Sequence, residues 1–164
     1  MFTELFGLPA HALIVHAAVV FIPLAAIFGI VYAVASVTRK YIWWAVLGLG
    51  VAAPVTGWAA RLSGDKYKEY WVANGASGQF LDDINKHQSF GNPTAWWATA
   101  LGVVLLVMVL YTIPGQISLA PKGTALPAAV RLITVIVTVV VSVVTLYYVI
   151  RTGDAGAHAT HPEI

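Results

Sequence analysis

Four long apolar runs, each about the length needed to cross a bilayer, constrain this chain more than any other feature. They are Leu13–Val37, Ile42–Leu62, Pro93–Ile113 and Ala128–Ile150. A transmembrane helix needs roughly 20 mainly apolar residues, because hydrocarbon offers no water to backbone groups that the helix leaves unpaired. Only 10% of the 164 residues are charged and 59% are hydrophobic, whereas a soluble domain carries about 25% charged residues. The expected fold class is therefore all-α: a polytopic four-helix transmembrane bundle forming one domain over residues 1–164. Pro9 precedes the first run, Asn92 is a plausible N-cap for the third, Pro114-Gly115 ends the third and Pro127 opens the fourth. Residues 63–91 form the one long link, expected to be an interfacial loop. Within it, Gln79–His87 predicts a short helix with Phe80, Ile84 and His87 on one face and Asp82 and Asp83 on the other.

Lipid tails are as apolar as leucine, so such helices associate through close packing and hydrogen bonds between helices. Small residues at helical spacing mark the faces expected to pack. They are Ala25, Gly29 and Ala33 in the first run, Gly48, Ala52, Thr56 and Ala60 in the second, and Ala98 and Gly102 in the third. The fourth carries a hydroxyl stripe, Thr134, Thr138, Ser142 and Thr145. It either faces a neighbouring helix or bonds its own carbonyls one turn back. Trp43, Trp44, Trp96, Trp97, Tyr147 and Tyr148 suit the aromatic belts found at membrane interfaces.

The chain has no cysteine. That excludes disulfides, iron–sulfur clusters, thiolate zinc sites and covalently attached c-type haem. The net charge of +2 leaves no footprint for nucleic acid. The N-terminal MFTELFGLPA lacks a basic n-region, so the first run is expected to stay as a membrane helix rather than act as a cleaved signal. Arg39 and Lys40 follow the first run, and no Lys or Arg precedes it. By the positive-inside rule this puts both termini on the outer side, although Arg61, Lys66, Lys68, Lys86 and Arg151 would then also face outward.

Four passes bring all five histidines, His11, His16, His87, His158 and His161, to one membrane face. Histidine is the commonest metal ligand and a frequent haem axial ligand. His11 and His16 are five residues apart, about 140° around a helix, so one straight helix face cannot present both to one ion. Each can meet a partner from another segment, an arrangement that suits haem. The alternative for His16 is a neutral imidazole bonded within the bundle. His87, at the end of the loop helix, is a further ligand candidate. His158 lies in GDAGAHA, which reads as an ordered turn, and His161 lies in the tail. Arg61 and Arg151 end the second and fourth runs on the histidine side, where a guanidinium fork matches haem propionates or lipid phosphates. Asp65, Asp82, Asp83 and Asp154 share that face and can pair with them. The candidate cofactor ligands are thus His11, His16, His87, Arg61 and Arg151. The candidate metal ligands are His11, His16, His87 and His158.

The stretch GLPAHALIVH, with Gly7, Pro9, His11, Val15 and His16, resembles the opening of a family of small bacterial four-helix membrane proteins known as DUF2231. The likeness continues in Thr56-Gly57-Trp58, in His87 followed by Gly91, and in TGDAGAHA over Thr152–Ala159. The chain departs from the pattern at Ala12, where proline is usual, and at Ala17-Ala18, where Phe-Pro is usual. The resemblance implies a four-pass bundle in the bacterial cytoplasmic membrane, with His11, His16 and His87 as the positions carried over. It also implies an association with respiratory and cytochrome-like proteins.

Two functions follow as expectations. One is a membrane-embedded redox protein that binds haem b or a transition metal through these histidines and transfers electrons at the outer face, with a quinol as one candidate donor. The other is a non-catalytic accessory subunit of a larger respiratory-type membrane complex, partnered by other subunits or by copies of itself. No catalytic triad, phosphate-cradling glycine loop or HExxH motif is present. An ion-coupled transporter is disfavoured because the helix centres carry no charge.

Overall fold

The computed structural model describes residues 4–5, 8–112 and 127–160. Among these, four helices are long and apolar enough to cross a membrane. They are α1 (Ala10–Val34), α2 (Arg39–Ala73), α3 (Gly78–Thr112) and α4 (Ala128–Thr160). A 3-10 turn, Ser36–Thr38, joins α1 to α2. A two-residue antiparallel pair, β1 (Glu4–Leu5) with β2 (Leu8–Pro9), precedes α1. Each helix packs on its sequence neighbours and α4 closes back on α1, while α1 and α3 barely meet. The result is an up-down-up-down bundle. One end gathers the start of α1, the end of α2, the start of α3 and the end of α4.

The expected loop over residues 63–91 is helical instead. With 35 residues each, α2 and α3 are about 52 Å long at 1.5 Å per residue, well beyond a hydrocarbon core of roughly 30 Å. Their polar halves therefore continue past it as a helical hairpin. The reversal is tight. Gly75, at φ +86°, takes the left-handed position. Ala76 N–H donates to Trp71 O at 3.0 Å and Gly75 N–H to Val72 O at 3.1 Å, which is the Schellman closure. Gly78, at φ +64°, opens α3. The expected helix Gln79–His87 exists as the first part of α3. Asn92 and Pro93 accordingly lie inside α3 and cap nothing, and GDAGAHA is a continuation of α4 rather than a turn.

The packing faces on α1 and α3 are those expected: Ala25, Ala33 and Ala98 are fully buried, and so are Gly29 and Gly102. On α2 the buried face is Val46, Gly50, Ala53 and Gly57, whereas Gly48 is exposed. The proline explains the shift. Pro54 has no N–H, so the Gly50 carbonyl lacks its helical partner. That carbonyl faces α3 at Gly102, where an added Cβ would lie 2.5 Å from it. Only glycine allows the two backbones to come so close, in the range of a weak Cα–H···O contact.

The hydroxyl stripe on α4 does both things expected of it. Thr138, Ser142 and Thr145 are fully buried against the other helices. Thr138 and Thr145 also bond carbonyls of their own helix at 2.8 and 2.7 Å. The other face of α4, including Ile133, Ile136, Val140, Val143 and Ile150, is exposed and forms an apolar, lipid-facing surface.

Candidate functional site

His11 lies in the first turn of α1 and His87 on the polar half of α3. The bundle brings their rings to 6.4 Å between centroids with an interplanar angle of 75°. Both are half-buried. Their hydrogen bonds fix their tautomers. His87 Nδ1 meets the carbonyl of Thr152 at 2.9 Å, and a carbonyl only accepts, so Nδ1 carries the proton. His11 Nδ1 meets Ser63 Oγ at 2.9 Å. The Ser63 hydroxyl spends its proton on Ala60 O at 3.0 Å, so His11 Nδ1 is the donor there too. On both rings Nε2 is left with its lone pair. Among the described residues neither Nε2 has a hydrogen-bond partner, and a ring anchored through one N–H with the other nitrogen free is the arrangement that orients histidine as a ligand.

Each ring rests on a helical glycine. A Cβ on Gly64 of α2 would lie 3.1 Å from His11 Cε1, and one on Gly156 of α4 would lie 3.0 Å from His87 Cε1 and Nδ1. Any side chain at either position would displace the ring. Tyr67 packs on His11 at 5.9 Å between centroids, and Trp71 bridges Tyr67 and Phe80 at 5.9 and 5.2 Å.

The pair borders a cavity of about 840 Å³ between all four helices. Val15, Ala18, Val19, Ile22, Gly57 and Val149 make its floor apolar, while Arg61, Asp65, Lys68, Gln88 and Asn92 form a polar wall. That wall is bonded throughout. Lys68 Nζ donates to Gln88 Oε1 at 2.8 Å, Gln88 Nε2 to Asp65 Oδ1 at 2.7 Å and Arg61 Nε to Asn92 Oδ1 at 2.9 Å. Arg61 also approaches Asp65 at 3.8 Å and stacks over Trp58.

The structure divides the residues expected from the sequence. His11, His16, His87 and Arg61 line the cavity. His16 is exposed on α1, with Nδ1 held by Ala12 O. Arg151 lies outside the cavity, over the Phe90 ring at 4.9 Å and 3.6 Å from Asp154. His158 is also apart, bonded to Asp154 O at 2.9 Å on its own helix. His161 lies outside the described residues. Among the described residues no three His, Cys, Asp or Glu side chains converge as a metal site. Sequence reasoning missed Ser63, Gly64, Tyr67, Lys68, Gln88 and Gly156. All but Gly156 lie in the segment read as a loop, where a helical period of 3.6 would have put Gly64, Tyr67, Lys68 and Trp71 on one face.

Compared with known proteins, the chain matches no family model, no curated protein and no solved structure.

Proposed function

We propose that this protein is a haem b-binding redox protein of the bacterial cytoplasmic membrane, in which His11 and His87 would hold the haem. We place it with the DUF2231 proteins that its N-terminal histidine motif resembles, termini and cavity on the outer side. The observation that carries this reading is the histidine pair itself: two anchored imidazoles, bare at Nε2, beside a largely apolar cavity. Two imidazoles with metal–nitrogen bonds of about 2.0–2.1 Å can share one ion only when their rings lie within about 6–7 Å of each other. The His11–His87 separation of 6.4 Å lies within that reach. A closed protein metal site takes about four side-chain ligands, and this cluster supplies two. Two histidines suit a metal that arrives within a macrocycle, as haem iron would.

Bound there, haem would supply reversible one-electron transfer. The residues do the rest. Ser63 and the Thr152 carbonyl hold the rings in the ligating tautomer, and Gly64 and Gly156 leave room for them. Arg61 and Lys68 place positive charge on the cavity wall, where propionates would seat. Tyr67, Trp71 and Phe80 cover His11 from the hairpin side.

The test is an absorption spectrum of the detergent-purified protein, oxidised and then dithionite-reduced, beside His11→Ala, His87→Ala and His158→Ala. A Soret band that sharpens on reduction, is lost in the first two variants and survives in the third supports the reading. A colourless protein that does not take up added hemin sinks it and leaves the accessory-subunit function.

A further inference from the structure

Below the hairpin tip, the exposed residues of the cavity lining are Ala12, His16 and Val19 on α1 and Gly153 and Ala157 on α4. Its α2 walls, and its α3 walls below the hairpin tip, are half-buried or buried. The opening is therefore a portal between α1 and α4. His16 stands in it, about 7.5 Å along the helix axis from His11 at 1.5 Å per residue. Among the described residues the Nε2 of His16 has no hydrogen-bond partner, and an ionisable side chain within an apolar span is a functional candidate by default.

The chemistry at the portal selects the ligand. His16 Nδ1–H is committed to the Ala12 carbonyl, so His16 offers Nε2 as an acceptor only. A bilayer-dissolved molecule recognised there must donate a proton into the hydrogen bond. Beyond His16 the cavity floor is apolar, with Val15, Val19, Ile22 and Val149. We infer that the portal between α1 and α4 binds a membrane hydroquinone, whose ring hydroxyl donates to His16 Nε2 and whose apolar tail stays in the bilayer. This rests on the redox reading above and names the class of reductant that would serve it. The oxidised quinone has only carbonyl acceptors and cannot make that bond, so the site favours the reduced form.

The two variants needed leave the packing intact. His16 is exposed, and a Cβ on Gly153 meets no atom within 4 Å. His16→Phe removes the acceptor and Gly153→Leu narrows the portal. Binding of a short-chain benzoquinol and its quinone to the purified protein in nanodiscs is measured without oxygen by titration calorimetry. In the wild type the quinol binds about fivefold more tightly than the quinone, the effect of one hydrogen bond. His16→Phe abolishes the preference, and Gly153→Leu weakens both forms. Equal affinity for the two forms in the wild type overturns the inference. So does a preference that survives His16→Phe, which would come from another acceptor or from unequal partition of the two forms into the nanodisc lipid. The haem spectrum of the same samples reports separately, because neither variant touches His11 or His87. Quinol preference without haem defeats the redox reading and keeps the portal site, and haem without quinol preference does the reverse.

Discussion

The two ends of this bundle are built from the same four helices and solve opposite problems. At the closed end, Tyr32 is fully buried and its hydroxyl lies 2.7 Å from Thr112 Oγ1. Arg39 reaches back to bond the Tyr32 and Ala33 carbonyls, each at 2.9 Å, capping α1 with charge of the favourable sign. A large side chain fills the space, and the polar groups are spent on one another. At the open end Gly57, Ala60, Gly64, Gly91 and Gly156 leave a cavity of about 840 Å³, bordered on the hairpin side by Tyr67, Trp71 and Phe80. Its histidines are anchored on one nitrogen and bare on the other. Stability is concentrated at one end and binding capacity at the other.

Tyr32→Ala should break the contrast most severely, because it opens a void where the packing is tightest. The expected loss is about 3–5 kcal/mol, as for other buried aromatic truncations. It is measured by reversible unfolding in mixed micelles. His11→Ala at the open end should cost about 1 kcal/mol or less, since a half-buried ring over a cavity has few contacts to lose. Similar losses for the two would erase the distinction.

Ser63→Ala sharpens it from the other side. It removes the acceptor that fixes the His11 tautomer, so hemin affinity should fall about 10–100-fold. The unfolding midpoint should barely move.

The smallest effects come from two glycines three residues apart. Gly156→Ala presses on His87 and disturbs its bond to Thr152 O, so hemin binding should weaken about fivefold. Gly153→Ala points into open space and should leave binding unchanged while stabilising α4 by up to about 1 kcal/mol. Equal responses would mean that His87 is not seated on Gly156.

What the sequence made legible follows from what hydropathy measures. Four runs of apolar residues announce four membrane helices, and pass number alone brings His11 and His87 to the same face. The Ala25–Gly29–Ala33 and Ala98–Gly102 faces were legible because small residues recur at helical spacing. On α2 the same rule chose Gly48 over Gly50, because it could not weigh Pro54: the carbonyl that proline frees at Gly50 meets the bare backbone of Gly102, and α3 comes close there. The hairpin was hidden for a different reason. Its helices carry Lys, Asp and Asn between their aromatic residues, so a search for apolar runs stops at Leu62, although Tyr67, Trp71, Phe80 and Ile84 keep an inward face. The partners of the histidines lie in that hidden half, which is why the ligand candidates were found and the groups that hold them were not.

The most direct test of the central claim is chemical rescue at His87. His87→Gly loaded with hemin should lose the low-spin, six-coordinate absorption and electron paramagnetic resonance signature of the wild type and show a high-spin, five-coordinate one. Free imidazole, able to fill the space the ring leaves, should restore the wild-type signature. A wild-type spectrum that His87→Gly leaves unchanged would contradict the account, because the iron would then be held by something other than the pair at the open end.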